Sequence, residues 1–165
     1  MGHSVIYYGE HNGARTCRAL EIGPDDLDWG VVSPDDPEAD QSAALADAVA
    51  VITNGLSITT EMLSKMPRMK LLQVMSAGFD RLDVPTIREM GIEVCNNSPA
   101  IATSVAEHAI SMMMMVQKRL PQGIDGVKAG TWQKPAKSGQ FGQVYELSGR
   151  TVGIIGLGNV GTRVA

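Results

Sequence analysis

The chain has 165 residues, a formal net charge of −4 and 44% hydrophobic residues. That is enough for one full domain and part of a second, too apolar for a disordered chain, and wrong in charge for a nucleic-acid footprint. No run approaches the roughly 18 consecutive apolar residues of a membrane helix, and Met1-Gly-His-Ser4 leads into a strand pattern without an apolar signal region, so the expected setting is soluble and cytoplasmic, with no membrane or nucleic-acid partner.

The first hundred residues alternate between two periodicities. Ser4–Tyr8 predicts a strand, and Ala14–Ile22 a short helix closed by Gly23-Pro24. Asp28–Val32 predicts a second strand ended by Ser33-Pro34, and residues 37–46 an alanine-rich helix with Pro37 near its first turn. Residues 48–53 are nearly all apolar, as expected of a strand buried on both faces. Thr59 is placed to cap a helix through Lys65, with Glu61 in its first turn and Pro67 beyond its end. Leu71–Met75 predicts a fourth strand. Asp83 is placed to cap a helix over 84–90, with Pro85 in its first turn and Gly91 as its stop, before a fifth strand at Ile92–Cys95. Strands joined by helices through short connections argue a parallel sheet covered by helices. The polar, proline-containing stretch 96–102 marks a boundary, giving domains at 1–98 and 99–165.

A long helix is expected next. Ser104-Val-Ala-Glu107 has the spacing of a capping box, and Ala109–Leu120, including Met112–Met115, is apolar almost all round, which predicts burial in a core or a subunit interface. Residues 121–147 form a long excursion rich in Gly, Lys and Gln, with Trp132 within it. Cys17 and Cys95 lack metal-ligand spacing and are expected to be reduced and buried; His3, His11 and His108 form no ligand pattern, so no metal site is expected.

The most informative segment comes last. Thr151–Ile155 is a β-branched apolar run, followed by Gly156-x-Gly158-x-x-Gly161. A strand entering such a turn and opening a helix is a dinucleotide-binding fingerprint. Gly156 permits the tight turn, Gly158 lets a pyrophosphate approach the backbone, and Gly161 lets helix and strand pack closely. An acidic residue for the ribose is expected about 20 residues further on, past Ala165, so the sequence reads as the N-terminal part of a longer protein.

In order and spacing, Ser76-Ala-Gly-Phe-Asp-Arg-Leu-Asp83, Asn97-Ser-Pro99, Ser104-Val-Ala-Glu-His108, Gly130-x-Trp132 and the run from Leu147 to Gly161 resemble the D-isomer-specific 2-hydroxyacid dehydrogenases. The resemblance covers residues 48 to the end. It implies an α/β protein: a flavodoxin-like parallel-sheet substrate lobe at 1–98, then the start of a Rossmann NAD(P)-binding domain at 99–165. It implies NAD or NADP as cofactor, a small 2-hydroxy or 2-oxo acid as substrate, and a homodimer through 104–147. It places the substrate carboxylate on the backbone of Ser76, Ala77 and Gly78, the nicotinamide beside Val105, and the pyrophosphate at Gly156, Gly158, Asn159, Val160 and Gly161. Val105 reads equally well as a core residue. Ile101 departs from the pattern: many relatives have Asn there, and an apolar side chain disfavours formate as substrate. His108 does not match the family's catalytic histidine and reads as a structural residue beside Glu107. No residue of 1–165 can be assigned as the proton donor or the carboxylate-anchoring cation, so the chain by itself is expected to be inactive. The rival reading is an NAD-responsive binding protein of the corepressor type on the same fold.

Overall fold

The computed structural model describes residues 4–53, 58–131 and 144–165. Trp132 and the rest of 132–143 lie outside the described residues. The chain divides into two compact units, Met1–Ser98 and Pro99–Ala165.

The first unit runs β1 (Ser4–Tyr8), α1 (Ala14–Ile22), β2 (Asp28–Val32), α2 (Glu38–Ala46), β3 (Ala50–Thr53), α3 (Thr60–Ser64), β4 (Leu71–Val74), α4 (Val84–Glu89) and β5 (Glu93–Cys95). All four strand pairings are parallel, in the order β2-β1-β3-β4-β5. This is the flavodoxin-like order, with its switch point between β1 and β3. Because parallel crossovers are right-handed, the reversal at β1 sends α1 to one face and α2, α3 and α4 to the other.

Burial follows that division. The register aligns Ile6, Val51 and Leu72 across the sheet, and these are 4%, 0% and 0% exposed. Leu45, Leu63 and Ile87, one from each of three helices, join them in the core cluster. Each such burial contributes roughly 1.5–3 kcal/mol. On the opposite face Ala50, Ile52, Leu71 and Gln73 are only half-buried. The expected two-sided burial of 48–53 is therefore corrected: β3 is shorter and alternates, because one face carries three helices and the other chiefly α1.

Local signals work as expected at two helix starts. Thr59 Oγ1 accepts from the Met62 amide at 3.2 Å. Asp83 accepts from the Thr86 amide at 3.3 Å and from Thr86 Oγ1 at 2.7 Å. Gly91, at φ 76°, turns the chain after α4 into β5. Both cysteines are exposed, against expectation: Cys17 lies on α1, of whose residues only Thr16 is buried, and Cys95 ends an edge strand.

The second unit contains α5 (Ala102–Lys118), α6 (Leu120–Lys128) and α7 (Gly161–Val164). Three expectations are corrected in it. The helix α5 begins a turn before the proposed capping box, with Ile101 at its N-cap and no side-chain cap. The Ala102 amide already bonds the Pro99 carbonyl, so Ser104 lies inside the helix. Next, α5 is not buried all round. Only Ala102 and Ala106 are buried, while Ile110, Met112, Met114 and Val116 are exposed, since no described element covers them. Finally, the excursion opens with a helix, α6, which starts at the left-handed Arg119. Leu120, Ile124 and Val127 carry its helical spacing, and Pro121 fits its first turn.

No strand forms at 151–155. A strand exists by hydrogen bonds to a neighbour, and no described segment of this unit pairs with it. Ile155 is fully exposed in consequence.

Candidate functional site

The loop after β4 is built by the sheet. The Met75 amide bonds the Thr53 carbonyl at 2.7 Å, extending the β3–β4 ladder by one residue. The chain then bends over residues 75–77. The Ser76 carbonyl accepts from the Asn97 amide at 3.1 Å. The Ala77 carbonyl accepts from Asn96 Nδ2, and the Gly78 carbonyl from Ser76 Oγ, both at 2.8 Å. The amides of Ser76, Ala77 and Gly78 find no acceptor among the described residues. A run of unpaired amides at the carboxyl end of a parallel strand suits an anion, and ligands bind at this end of open α/β sheets. A Cβ on Gly78 would meet nothing nearer than Asp80 Oδ2, at 3.5 Å. The glycine thus leaves the loop surface bare and relieves no strain. Phe79 beside it is half exposed.

An open cleft of about 410 Å³ lies at the ends of β1 and β3, lined by Gly9, Glu10, Arg15, Thr16, Asp35 and Thr53 among others. This is the topological switch point. It is invisible until the strand order is known, which is why the sequence singles out none of these residues. Next to it His11 Nε2 lies 2.8 Å from Asp36 Oδ1. The Ser33 amide, first, and His11, second, hold the Asp36 carboxyl below its ordinary value. Burial, and then the charge of Asp36, pushes the Tyr8 phenol up. Its hydroxyl donates to Gln41 Oε1 at 3.1 Å.

The glycine turn of the second unit keeps its geometry without a flanking strand. Gly156 sits at φ 92°, a conformation that side chains rarely adopt. A Cβ on Gly161 would collide with the Gly156 carbonyl oxygen, so close packing of turn and helix requires glycine there. A Cβ on Gly158 would project into open space, which leaves room for a phosphate against the backbone. The Gly158 carbonyl accepts from the Thr162 amide at 3.1 Å and Thr162 Oγ1 at 2.8 Å. Arg163 donates to the Asn159 carbonyl and, at 3.1 Å, to Thr103 Oγ1 on α5. These contacts hold the carbonyls back and leave the amides of Val160 and Gly161 without an acceptor among the described residues. The turn therefore presents backbone donors with open space beside them, an arrangement suited to an anion.

A family model described as the D-isomer specific 2-hydroxyacid dehydrogenase catalytic domain matches residues 22–162. The chain belongs to this family. A glyoxylate/hydroxypyruvate reductase of Arabidopsis thaliana is 36% identical over 115 residues, covering 70% of this chain and 35% of that protein. A hydroxypyruvate reductase of Thermotoga maritima is 33% identical over 117 residues, covering 71% and 37%. The solved structure of Aquifex aeolicus D-lactate dehydrogenase with NAD and lactic acid superposes with a TM-score of 0.72 at 29% identity, over 97% of this chain and 46% of that one. The chain thus spans about a third to a half of the length of these relatives.

Within this dehydrogenase family member, the remaining expected residues fall as follows. Val105 is exposed on α5, so it is not a core residue of the described unit. Ile101 is exposed at the N-cap of the same helix. His108 is exposed without a described partner, which corrects its reading as a satisfied residue beside Glu107. Adjacent helical residues face different directions and do not meet. Among the described residues no group of three or more His, Cys, Asp or Glu is placed to hold a metal, and no helix is long and apolar enough to cross a membrane. Asn96 is the residue that sequence reasoning missed. In sequence it is part of a polar boundary, and only the adjacency of β4 and β5 brings it to the loop.

Proposed function

We propose that this chain is the substrate lobe and the opening of the nucleotide-binding domain of an NAD(P)-dependent reductase of small 2-oxo acids. The observation that carries the reading is the row of unpaired amides at Ser76, Ala77 and Gly78 on the carboxyl end of β4. Their place is that of a carboxylate receptor. The family supports it, and so do the names of the relatives, which are reductases of glyoxylate and hydroxypyruvate. The turn Gly156–Gly161 is the proposed seat of the dinucleotide, with Val105 beside the nicotinamide.

When bound, the dinucleotide supplies the hydride. The work of this chain is to hold the acid by its carboxylate and to present bare backbone to the phosphates. Protonating the developing alkoxide and pairing the carboxylate with a cation both need further groups. Residues 1–165 alone are therefore proposed to bind without turning over. The exposed apolar residues of α5 and α6 support a homodimer through 104–147.

Calorimetry with NADH and NADPH on wild type and Gly158→Val tests the cofactor site. Loss of binding in the variant is expected, because its side chain fills the open space over the turn; equal affinities refute the assignment. Turnover of glyoxylate or hydroxypyruvate by the purified chain overturns the proposal that it is inactive alone. Sedimentation of the wild type as a monomer at micromolar concentration refutes the dimer, and Met113→Lys is expected to dissociate it.

A further inference from the structure

Two consecutive carbonyls of the β4 loop, those of Ser76 and Ala77, are tied to two consecutive residues after β5, Asn97 and Asn96. A trans peptide is planar, so its N–H points opposite its C=O, and no described peptide bond is cis. The Ser76 carbonyl shares its plane with the Ala77 amide, and the Ala77 carbonyl shares its plane with the Gly78 amide. Pulling both carbonyls toward the exit of β5 turns both amides to the other side, as a pair. In a regular strand successive amides point to opposite sides, and no two neighbours could grip one carboxylate. The two anchors differ in what they require. The Asn97 anchor is a backbone amide, which any residue but proline supplies. The Asn96 anchor is a side-chain donor, and a side chain without an N–H in its place leaves the Ala77–Gly78 peptide free to rotate. Asn96 is half-buried and its amide lies 2.8 Å from the carbonyl.

We infer that Asn96 is a positioning residue of the carboxylate site, holding the Gly78 amide toward the substrate through the shared peptide plane. The inference rests on the proposal that these amides bind the substrate carboxylate. It also explains how a loop with a sterically undemanding glycine is preorganised: the rigidity comes from the neighbouring strand's exit. A donor fixed in advance costs no reorganisation when the ligand arrives.

The test is a titration of the ¹⁵N-labelled protein with oxamate, an unreactive 2-oxo acid isostere, followed by NMR. In the wild type the Ala77 and Gly78 amide signals are expected to shift with saturation. The Asn96 side-chain amide signal is expected to move downfield with them, since a ligand accepting from the Gly78 N–H polarises the Ala77 carbonyl. Asn96→Ala is expected to raise the oxamate dissociation constant about fivefold, the worth of one ordinary hydrogen bond, with the Gly78 signal changed most. Equal affinities in wild type and Asn96→Ala overturn the inference while leaving the carboxylate site standing. An Asn96 side-chain signal that stays still while Gly78 shifts also overturns it, and needs no variant to fold. A wild type whose Ser76–Gly78 amides ignore oxamate removes the carboxylate site itself, and the inference with it.

Discussion

Leu72 and Val116 are both apolar residues within regular elements, and the protein treats them oppositely. Leu72 is 0% exposed in β4, and Val116 is 71% exposed in α5. The first lies in a row that three helices cover. The second lies on a helix with apolar residues all round and no cover among the described residues. Sequence pattern alone predicts burial for both. Burial depends on what lies opposite a residue, and periodicity reports only the residue's own side of the contact.

The largest expected effect tests that contrast directly. Leu72→Ala should cost about 2–5 kcal/mol, the range for truncating a fully buried leucine. Val116→Ala should stay within about 0.5 kcal/mol. Urea unfolding followed by far-UV circular dichroism, which reports on the helices and strands of both units, measures both; equal losses would erase the distinction between the two regions. Next, Gly156→Ala forces a side chain onto φ 92°, a strain of about 1–3 kcal/mol. Amide exchange should quicken at 158–165 and stay unchanged in β4. Protection lost equally in β4 would show that the glycine turn and the sheet open together.

Smaller effects sharpen the picture inside the first unit. Asp83→Ala removes the cap of α4 and should cost about 1 kcal/mol by the same unfolding measurement; no change would mean that packing of Ile87 alone fixes that helix. The smallest expected effect is acid-linked. Asp36 and Asp83 both have carboxyl pKa values lowered from 3.8, Asp36 chiefly by the Ser33 amide and Asp83 chiefly by the Thr86 hydroxyl. Their contribution is complete above the ordinary value and is lost as pH falls through the lowered folded value. Melting temperature should therefore decline below about pH 4, and Asp36→Asn should flatten part of that decline. An unaltered acid limb would mean that the bonds from Ser33 and His11 contribute nothing to stability.

Much of the first unit was legible because its signals are local. Thr59 and Asp83 satisfy amides three residues on, and neither bond needs the rest of the fold. Ser104 shows where such reasoning stops. Its spacing to Glu107 was right for a cap, yet the Pro99 carbonyl captures the Ala102 amide first and starts the helix earlier. Leu120, Ile124 and Val127 were spaced for a helix, and Gly123 and Gly126 between them hid it. At the candidate site, the loop at Ser76–Gly78 and the glycine turn were both visible as motifs. The cleft at β1 and β3 and the role of Asn96 were not, since each depends on which strands are neighbours.

The sequence by itself determined the parts of this protein that involve neighbours along the chain. These are strands and helices in alternation, caps, the left-handed glycines, and the order of motifs that marks the 2-hydroxyacid dehydrogenase family. Tertiary structure alone decided which face of the sheet is sealed, that 151–155 finds no strand partner among the described residues, and that the apolar residues Ile110, Met112, Met114 and Val116 of α5 are left exposed. It also brought Asn96 within 2.8 Å of a carbonyl nineteen residues earlier. The physical reason is the same in each case: a helix turn closes its hydrogen bonds within four residues, whereas a strand, a core face or a pinned peptide takes its partner from a distant segment.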